Sequence, residues 1–204
     1  MTQQTKTEAG SLHGQAETKP HIKIEEQGPY VVTGGIKLVR RIRVLNSEGE
    51  AVEWKAGDDY PPQSTPCRLC RCGNSKTKPF CDDSHLEVEW DGELTADRAP
   101  GETRRQLFQG TGIIMTDDNS LCAGFAFCDP FGGVWDEIEQ TDDPAVRARL
   151  EHQISLCPSG RLQYMLKRNS EPVEVKYEPM IATIHNGPYW VLGGIPVETP
   201  DGFA

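Results

Sequence analysis

The sequence predicts an α+β fold in which two small β-rich units flank a mixed middle unit. Three observations support this architecture. A nine-residue block at 28–36 returns at 187–195 with seven identical positions, which indicates a duplicated structural unit. The 204 residues include 20 glycines and 15 prolines, a content typical of a turn-rich globular protein. A single segment, 144–155, has a clear helical periodicity of apolar residues.

Each copy of the repeated block predicts two short strands, with a turn at the Gly-Pro step and a break at the Gly-Gly step. After the first copy the chain alternates as a third strand, whose apolar members are Leu38, Ile42 and Val44. The second copy has no cysteine cluster after it, so we expect the chain to be a fragment or a degenerate version of a longer protein. We also expect residues 176–204 to pack against residues 21–96 and to add a strand to their sheet.

The middle of the chain predicts a helix followed by a strand. Asp142 or Asp143 can cap a helix over 144–155, with a proline at its first turn. Residues 162–166 then predict a strand. The apolar stripe of the helix consists of Val146, Leu150 and Ile154. These patterns predict four regions: a disordered tail at 1–20, a β-rich unit at 21–96, a middle unit at 97–175 and the leading strands of a second β-rich unit at 176–204.

Composition excludes several classes of function. A formal net charge of -10 argues against nucleic-acid binding, which needs a broad basic face. The sequence contains no apolar run long enough to span a membrane, and its polar start does not read as a secretion signal. Its seven cysteines are clustered and odd in number, which favours metal binding in a reducing cytoplasm over a disulfide framework.

Four of the cysteines fall in the short stretch from Cys67 to Cys81. A Cys-x-Cys pair, Cys70 and Cys72, can hold one metal at a tight turn, and Cys81 with His85 can hold another. The same residues also allow a zinc site, for which Cys67 is a further candidate ligand. The residue types and their spacing alone leave both alternatives open.

The stretch 70–85 resembles the CDGSH iron–sulfur domain of the mitoNEET-like family, which reads C-x-C-x2-[S/T]-x3-P-x-C-D-G-[S/A/T]-H. That resemblance implies a [2Fe–2S] cluster, with one iron on Cys70 and Cys72 and the other on Cys81 and His85. Asp83 stands where the family usually has glycine, and aspartate tolerates a positive φ better than most residues. The family pattern also covers four supporting positions around the cluster: Ser75, Pro79, Asp82 and Ser84.

A single histidine ligand predicts a pH-sensitive cluster, because an imidazole must lose its proton to bind metal. The resemblance implies electron transfer or cluster transfer to an apo-acceptor protein, with the two halves of such folds pairing as homodimers or within one chain. No catalytic constellation is visible, so we do not expect an enzyme. A structural zinc module for protein interaction, or an electron-transfer subunit of a larger oxidoreductase, is the alternative.

A second cysteine set lies in the middle unit and is similar to a divergent single-cluster ferredoxin. Cys122 and Cys128 frame a gapped C-x2-C-x2-C run, and Cys157 begins a Cys-Pro-Ser-Gly phrase typical of such proteins. Three thiolates predict a [3Fe–4S] cluster, or a [4Fe–4S] cluster whose fourth ligand is Asp129, His152 or an outside group. The alternative is that these cysteines are buried apolar residues of a unit that has lost its metal.

Overall fold

The computed structural model describes residues 19–167 and 171–204, so the predicted disordered tail lies almost wholly outside the described residues. The strands are β1 His21–Ile24, β2 Tyr30–Thr33, β3 Lys37–Leu45, β4 Ala51–Ala56, β5 Cys67–Leu69, β6 Gln106–Gln109, β7 Ile113–Asp117, β8 Leu162–Leu166, β9 Met180–Ile184, β10 Tyr189–Leu192 and β11 Val197–Glu198. The helices are α1 Val134–Glu137 and α2 Pro144–Ser155. The protein is therefore β-rich with few helices, as an α+β fold predicts.

Two four-stranded sheets combine both ends of the described chain. Their strand orders are β11-β1-β2-β5 and β10-β9-β3-β4. The late strand β9 runs parallel to β3, and the late strand β11 runs parallel to β1. The predicted packing of residues 176–204 against residues 21–96, with an added strand, is confirmed.

The two copies of the repeat form hairpins of identical register. Ile22 lies opposite Val32 in the β1–β2 hairpin, and the repeat-equivalent Ile181 lies opposite Val191 in the β9–β10 hairpin. Each hairpin also pairs in parallel with the strand that follows the other one. The strand pairing thus has an approximate two-fold symmetry. This symmetry is incomplete within the described residues. Strand β2 pairs with β5, but its counterpart β10 is an edge strand with no such partner. A complete second cluster-binding repeat is therefore not shown.

The first glycine of each Gly-Gly step lets the end of the hairpin pack closely against the residue pair that precedes its first strand. Gly34 has a φ of 84°, and a Cβ placed there would lie 2.5 Å from the Pro20 nitrogen. Gly193 has a φ of 76°, and its Cβ would lie 2.5 Å from the Pro179 nitrogen. Both positions therefore require glycine for conformation and for space.

The hydrophobic core of the sheets draws on both copies of the repeat. Each buried aliphatic side chain there contributes about 1.5–3 kcal/mol relative to an exposed one. The buried members are Ile22, Val32, Leu38, Leu69, Ile181 and Ile195.

The prediction for the apolar face of β3 was partly wrong. Val39 is buried against Ala182 and Leu192, whereas Ile42 is 51% exposed. The first half of β3 is covered on both faces, because Leu38 packs into the core with Ile22 and the next residue, Val39, packs into the separate cluster with Ala182. The second half pairs only with β4, and its side chains reach solvent.

The middle unit is a three-stranded antiparallel sheet, in the order β6-β7-β8, packed on α2. The predicted helix at 144–155 and strand at 162–166 are confirmed, and the cap is Asp143, whose carboxylate accepts the Ala145 N–H at 2.8 Å. Ile113, Met115, Leu150, Ile154 and Leu162 form a core of their own with α1.

Among the described residues, no helix has the length and apolar character that a membrane span requires.

Candidate metal centres

The first cysteine set lies on the loop that follows β5. Cys70 leaves the edge of the sheet and is buried. Its N–H donates to the Pro79 carbonyl at 2.8 Å, and the N–H of Cys81 donates to the Arg68 carbonyl at 2.9 Å. These bonds hold the outgoing and returning halves of the loop side by side, so that the predicted ligands come to one end of it.

The predicted ligands form two close pairs. The sulfurs of Cys70 and Cys72 are 3.8 Å apart, and the Cys81 sulfur is 3.6 Å from Nδ1 of His85. Two sulfurs bound to one zinc at about 2.3 Å each lie no more than about 4.6 Å apart. Within the described chain, the only group of three ligand atoms all within 4.8 Å of one another is Cys81, Asp83 and His85. In the described residues the four predicted ligands thus form two pairs and not one group of four within that distance.

Ser75 fixes the loop between the two pairs. Its side chain is buried, its hydroxyl donates to the Phe80 carbonyl at 2.6 Å, and it accepts the Thr77 N–H at 3.0 Å. The Lys76 N–H then donates to the Asp82 carboxylate at 2.8 Å. The serine therefore stabilises the loop from its interior.

Asp82 ties the end of the loop to the turn that carries His85. Its carboxylate accepts the Ser84 hydroxyl at 2.7 Å and the Ser84 N–H at 3.2 Å. The Ser84 hydroxyl and the Lys76 N–H lower the pKa of Asp82 to about 2. The carboxylate is therefore ionised at neutral pH and holds the turn at Ser84–Leu86.

Asp83 occupies a left-handed conformation, with a φ of 65°. This explains why a glycine is usual there and why aspartate is a tolerable replacement. Its carboxylate lies 2.9 Å from the Arg68 guanidinium, and that hydrogen bond lowers the pKa of Asp83. The predicted departure from the family pattern is thus accommodated, with an ion pair that glycine could not make.

The second cysteine set surrounds a small cavity in the middle unit. Cys122, Cys128 and Cys157 all line it. Burial, together with a hydrogen bond to Asp129, raises the pKa of the Cys128 thiol to about 12. In the described residues these three sulfurs do not form a group within 4.8 Å of one another.

Arg161 places a positive charge at this cavity. Its guanidinium binds the Asp117 carboxylate at 2.5 and 2.8 Å, and it lines the cavity with the cysteines. The hydrogen bonds that Arg161 donates to Asp117 are the main cause that raises the pKa of Arg161, and a hydrogen bond with the Cys122 thiol adds to it. The positive charge of Arg161 opposes, but does not overcome, the rise in the pKa of the Cys128 thiol.

Comparison with protein families agrees with both sites. Residues 27–86 match the family model described as iron-binding zinc finger CDGSH type, and residues 108–167 match the model described as divergent 4Fe-4S mono-cluster. The chain carries a CDGSH-type domain and a divergent 4Fe–4S mono-cluster domain. Neither the curated proteins nor the solved structures contain a match to it. Both domain matches support iron–sulfur cluster binding.

The CDGSH-type domain brings all four predicted ligands to one end of its loop, in two pairs. The predicted supporting residues Ser75, Asp82 and Ser84 hydrogen-bond within that loop, and Pro79 accepts the N–H of Cys70. The Asn74 N–H lies 3.4 Å from the Cys72 sulfur, a contact of the kind that tunes cluster potential.

In the 4Fe–4S-type domain the three cysteines line one cavity. The two residues predicted as possible fourth ligands, Asp129 and His152, do not line it. His152 is exposed, and its Nε2 lies 3.2 Å from the Glu53 carboxylate. Asp129 is exposed and interacts with the Cys128 thiol at 3.3 Å, yet it does not line the cavity. Of the two protein candidates, only Asp129 contacts a member of the cysteine set.

Sequence reasoning missed three residues that contact these sites. The Tyr189 hydroxyl donates to the carbonyls of Cys70 at 3.0 Å and Pro79 at 2.9 Å. Arg161 lines the second cavity, and the Trp54 indole donates to the Leu156 carbonyl at 2.8 Å. The sequence held a signal for one of them, since Tyr189 lies in the repeated block.

Proposed function

We propose that this protein binds a [2Fe–2S] cluster through Cys70, Cys72, Cys81 and His85, and that it acts in electron transfer or in cluster transfer. The observation that carries the proposal is the arrangement of the ligands in two close pairs that do not merge into one four-ligand group. One iron would take each pair, and inorganic sulfide would bridge them.

The ligand set determines what such a cluster would do. Neutral imidazole in place of a thiolate raises the reduction potential, as two histidines do more strongly in Rieske centres. A proton competes with iron for the imidazole nitrogen, so acid would loosen the cluster. Burial raises the pKa of the Cys81 thiol in the metal-free chain, so loading the site would release a proton.

The middle domain supports a second cluster. Three cysteines around one cavity, with Arg161 beside them, favour a [3Fe–4S] cluster or a [4Fe–4S] cluster with a fourth ligand from Asp129 or from outside. The two sites together favour a redox carrier over an enzyme. Its partners would be a redox protein or an apo-acceptor protein in the cytoplasm.

A mononuclear metal site is the second candidate. It is favoured by the cluster of Cys81, Asp83 and His85, whose ligand atoms lie within 4.8 Å of one another. A zinc ion there would make the domain a structural module for protein interaction. The Arg68 ion pair competes for the Asp83 carboxylate, which weakens this alternative.

The deciding experiment is the visible spectrum of anaerobically purified protein before and after dithionite, with iron and zinc measured in the same sample. We expect a red-brown protein that bleaches on reduction and holds at least two irons per chain, and more than two if the middle domain is loaded. A colourless protein with one zinc would contradict the iron–sulfur proposal and support the interaction module.

A further inference from the structure

A group of aromatic side chains lies between the two candidate cluster sites. Trp54, on β4, is in contact with Trp190 on one side at a ring-centroid distance of 5.7 Å. On its other side it contacts Phe125 at 5.4 Å and Phe127 at 4.7 Å. These two phenylalanines line the cavity of the second cysteine set.

Both ends of this group are hydrogen-bonded to cysteine backbone. The Trp54 indole N–H donates to the Leu156 carbonyl, which belongs to the peptide bond preceding Cys157, at 2.8 Å. At the other end Tyr189, next to Trp190 in β10, donates its hydroxyl to the Cys70 carbonyl at 3.0 Å. A route from Cys70 to Cys157 therefore exists in which each step is a covalent bond, a hydrogen bond or a contact between rings.

We propose that the two centres exchange electrons within the chain, through a bridge formed by Tyr189, Trp190 and Trp54. This inference rests on the proposed function, since it requires a cluster at each site. One electron delivered to either centre by a one-electron donor protein would pass to the other centre. Iron at the centre that gives up the electron is oxidised as iron at the other centre is reduced, and no bond forms or breaks.

Trp54 joins the two sides of the bridge. Its ring contacts Trp190 on one side and Phe125 and Phe127 on the other, and its indole N–H donates to the Leu156 carbonyl. Trp54 is thus a positioning residue that joins two sites and ligates neither.

The experiment measures transfer of one electron between the centres in the full-length, cluster-loaded protein. A flash-activated photoreductant delivers less than one electron per chain, and the redistribution between the centres is followed by absorbance and by rapid-freeze electron paramagnetic resonance. Trp54→Leu removes the ring, and we expect it to slow the redistribution because packed atoms are lost from the route. Tyr189→Phe, which breaks the bond to Cys70, should also slow it.

Two matched controls separate the bridge from general packing. Tyr177→Leu removes a ring that contacts Trp190 at 5.9 Å but lies off the route, and Tyr30→Phe alters the repeat-equivalent of Tyr189. Neither control should change the rate, and all four variants should keep the iron content of the wild type. An unchanged rate in fully loaded Trp54→Leu would overturn the bridge alone. Wild-type protein with no iron in the middle domain would overturn the two-cluster function, and the bridge with it.

Discussion

At the residue scale, the ligand turn is held by groups that keep their charge over the pH range in which an imidazole titrates. The Ser84 hydroxyl and the Lys76 N–H lower the pKa of Asp82 to about 2. A carboxylate whose pKa is lowered on folding stabilises the fold above its ordinary value of about 3.9, and this contribution is lost as the pH falls toward the folded value. Between about pH 5 and 8 Asp82 therefore stays ionised, and histidine is the side chain that changes charge there.

Replacing His85 with cysteine should make the cluster resistant to acid. We expect the wild-type protein to lose its visible absorbance as the pH falls from about 7 to about 5, because protons displace iron from the imidazole. The variant should keep its colour across this range and have a lower reduction potential, since a thiolate replaces a neutral ligand. Absorbance against pH measures this. His152→Gln, which changes an exposed histidine remote from the loop, is the control, and equal midpoints in the wild type and the cysteine variant would contradict the prediction.

The two close pairs of predicted ligands could be expected from the sequence because their members are local. Cys70 to His85 span one loop, and the spacing of the residues carries the whole pattern. Tyr189 lies 119 residues from Cys70, and Trp54 lies 102 residues from Leu156. Nothing in the local sequence indicates such pairs. The first depends on how the β9–β10 hairpin pairs with β3, and the second on how β4 packs against the end of α2. The sequence also does not indicate that the Ser75 hydroxyl donates to the Phe80 carbonyl, because that bond depends on how the loop folds.

At the element scale, each hairpin of the repeat pairs with the strand that follows the other hairpin. The repeat allowed us to predict an added strand, because an identical block implies an identical pair of strands. The sequence did not indicate that β9 pairs in parallel with β3, or β1 with β11. The alternation of apolar residues does not specify which strand is the neighbour of another. Helix α2 was predicted with its bounds, because a proline at the first turn and an aspartate cap mark its start.

Gly193→Ala should destabilise the fold more than Gly194→Ala. Both glycines have a positive φ, and alanine there costs about 1–2 kcal/mol. At Gly193 the new Cβ would also lie 2.5 Å from the Pro179 nitrogen, whereas nothing lies within 4 Å at Gly194. We expect an extra loss of at least about 1 kcal/mol, which lowers the melting temperature by a further 2–4 °C or so. Thermal unfolding followed by circular dichroism measures it, and equal melting temperatures would show that the hairpin does not close tightly on Pro179.

At the scale of the whole molecule, the two candidate cluster sites rest on separate cores. Ile22, Leu69 and Ile181 belong to the core beneath the first site, and Ile113 and Leu150 belong to that of the middle domain. Between the two cores lies a small cluster of Ala51, Phe127 and Leu156 with Trp54 and Phe125 packed on it. We therefore expect that each site can be emptied alone.

Single ligand substitutions should remove metal from one site at a time. Cys157→Ser should lower the iron content by that of the middle cluster and leave the CDGSH-type spectrum in place, because no ligand is shared and the cores are separate. Cys81→Ser should do the reverse. Iron per chain and the paramagnetic resonance spectrum of the reduced protein measure both outcomes, with Cys67→Ser as a control that contacts the first core without belonging to either close ligand pair. If either substitution emptied both sites, loading of one cluster would depend on the other. The packing around Trp54 would then couple the folding of the two sites.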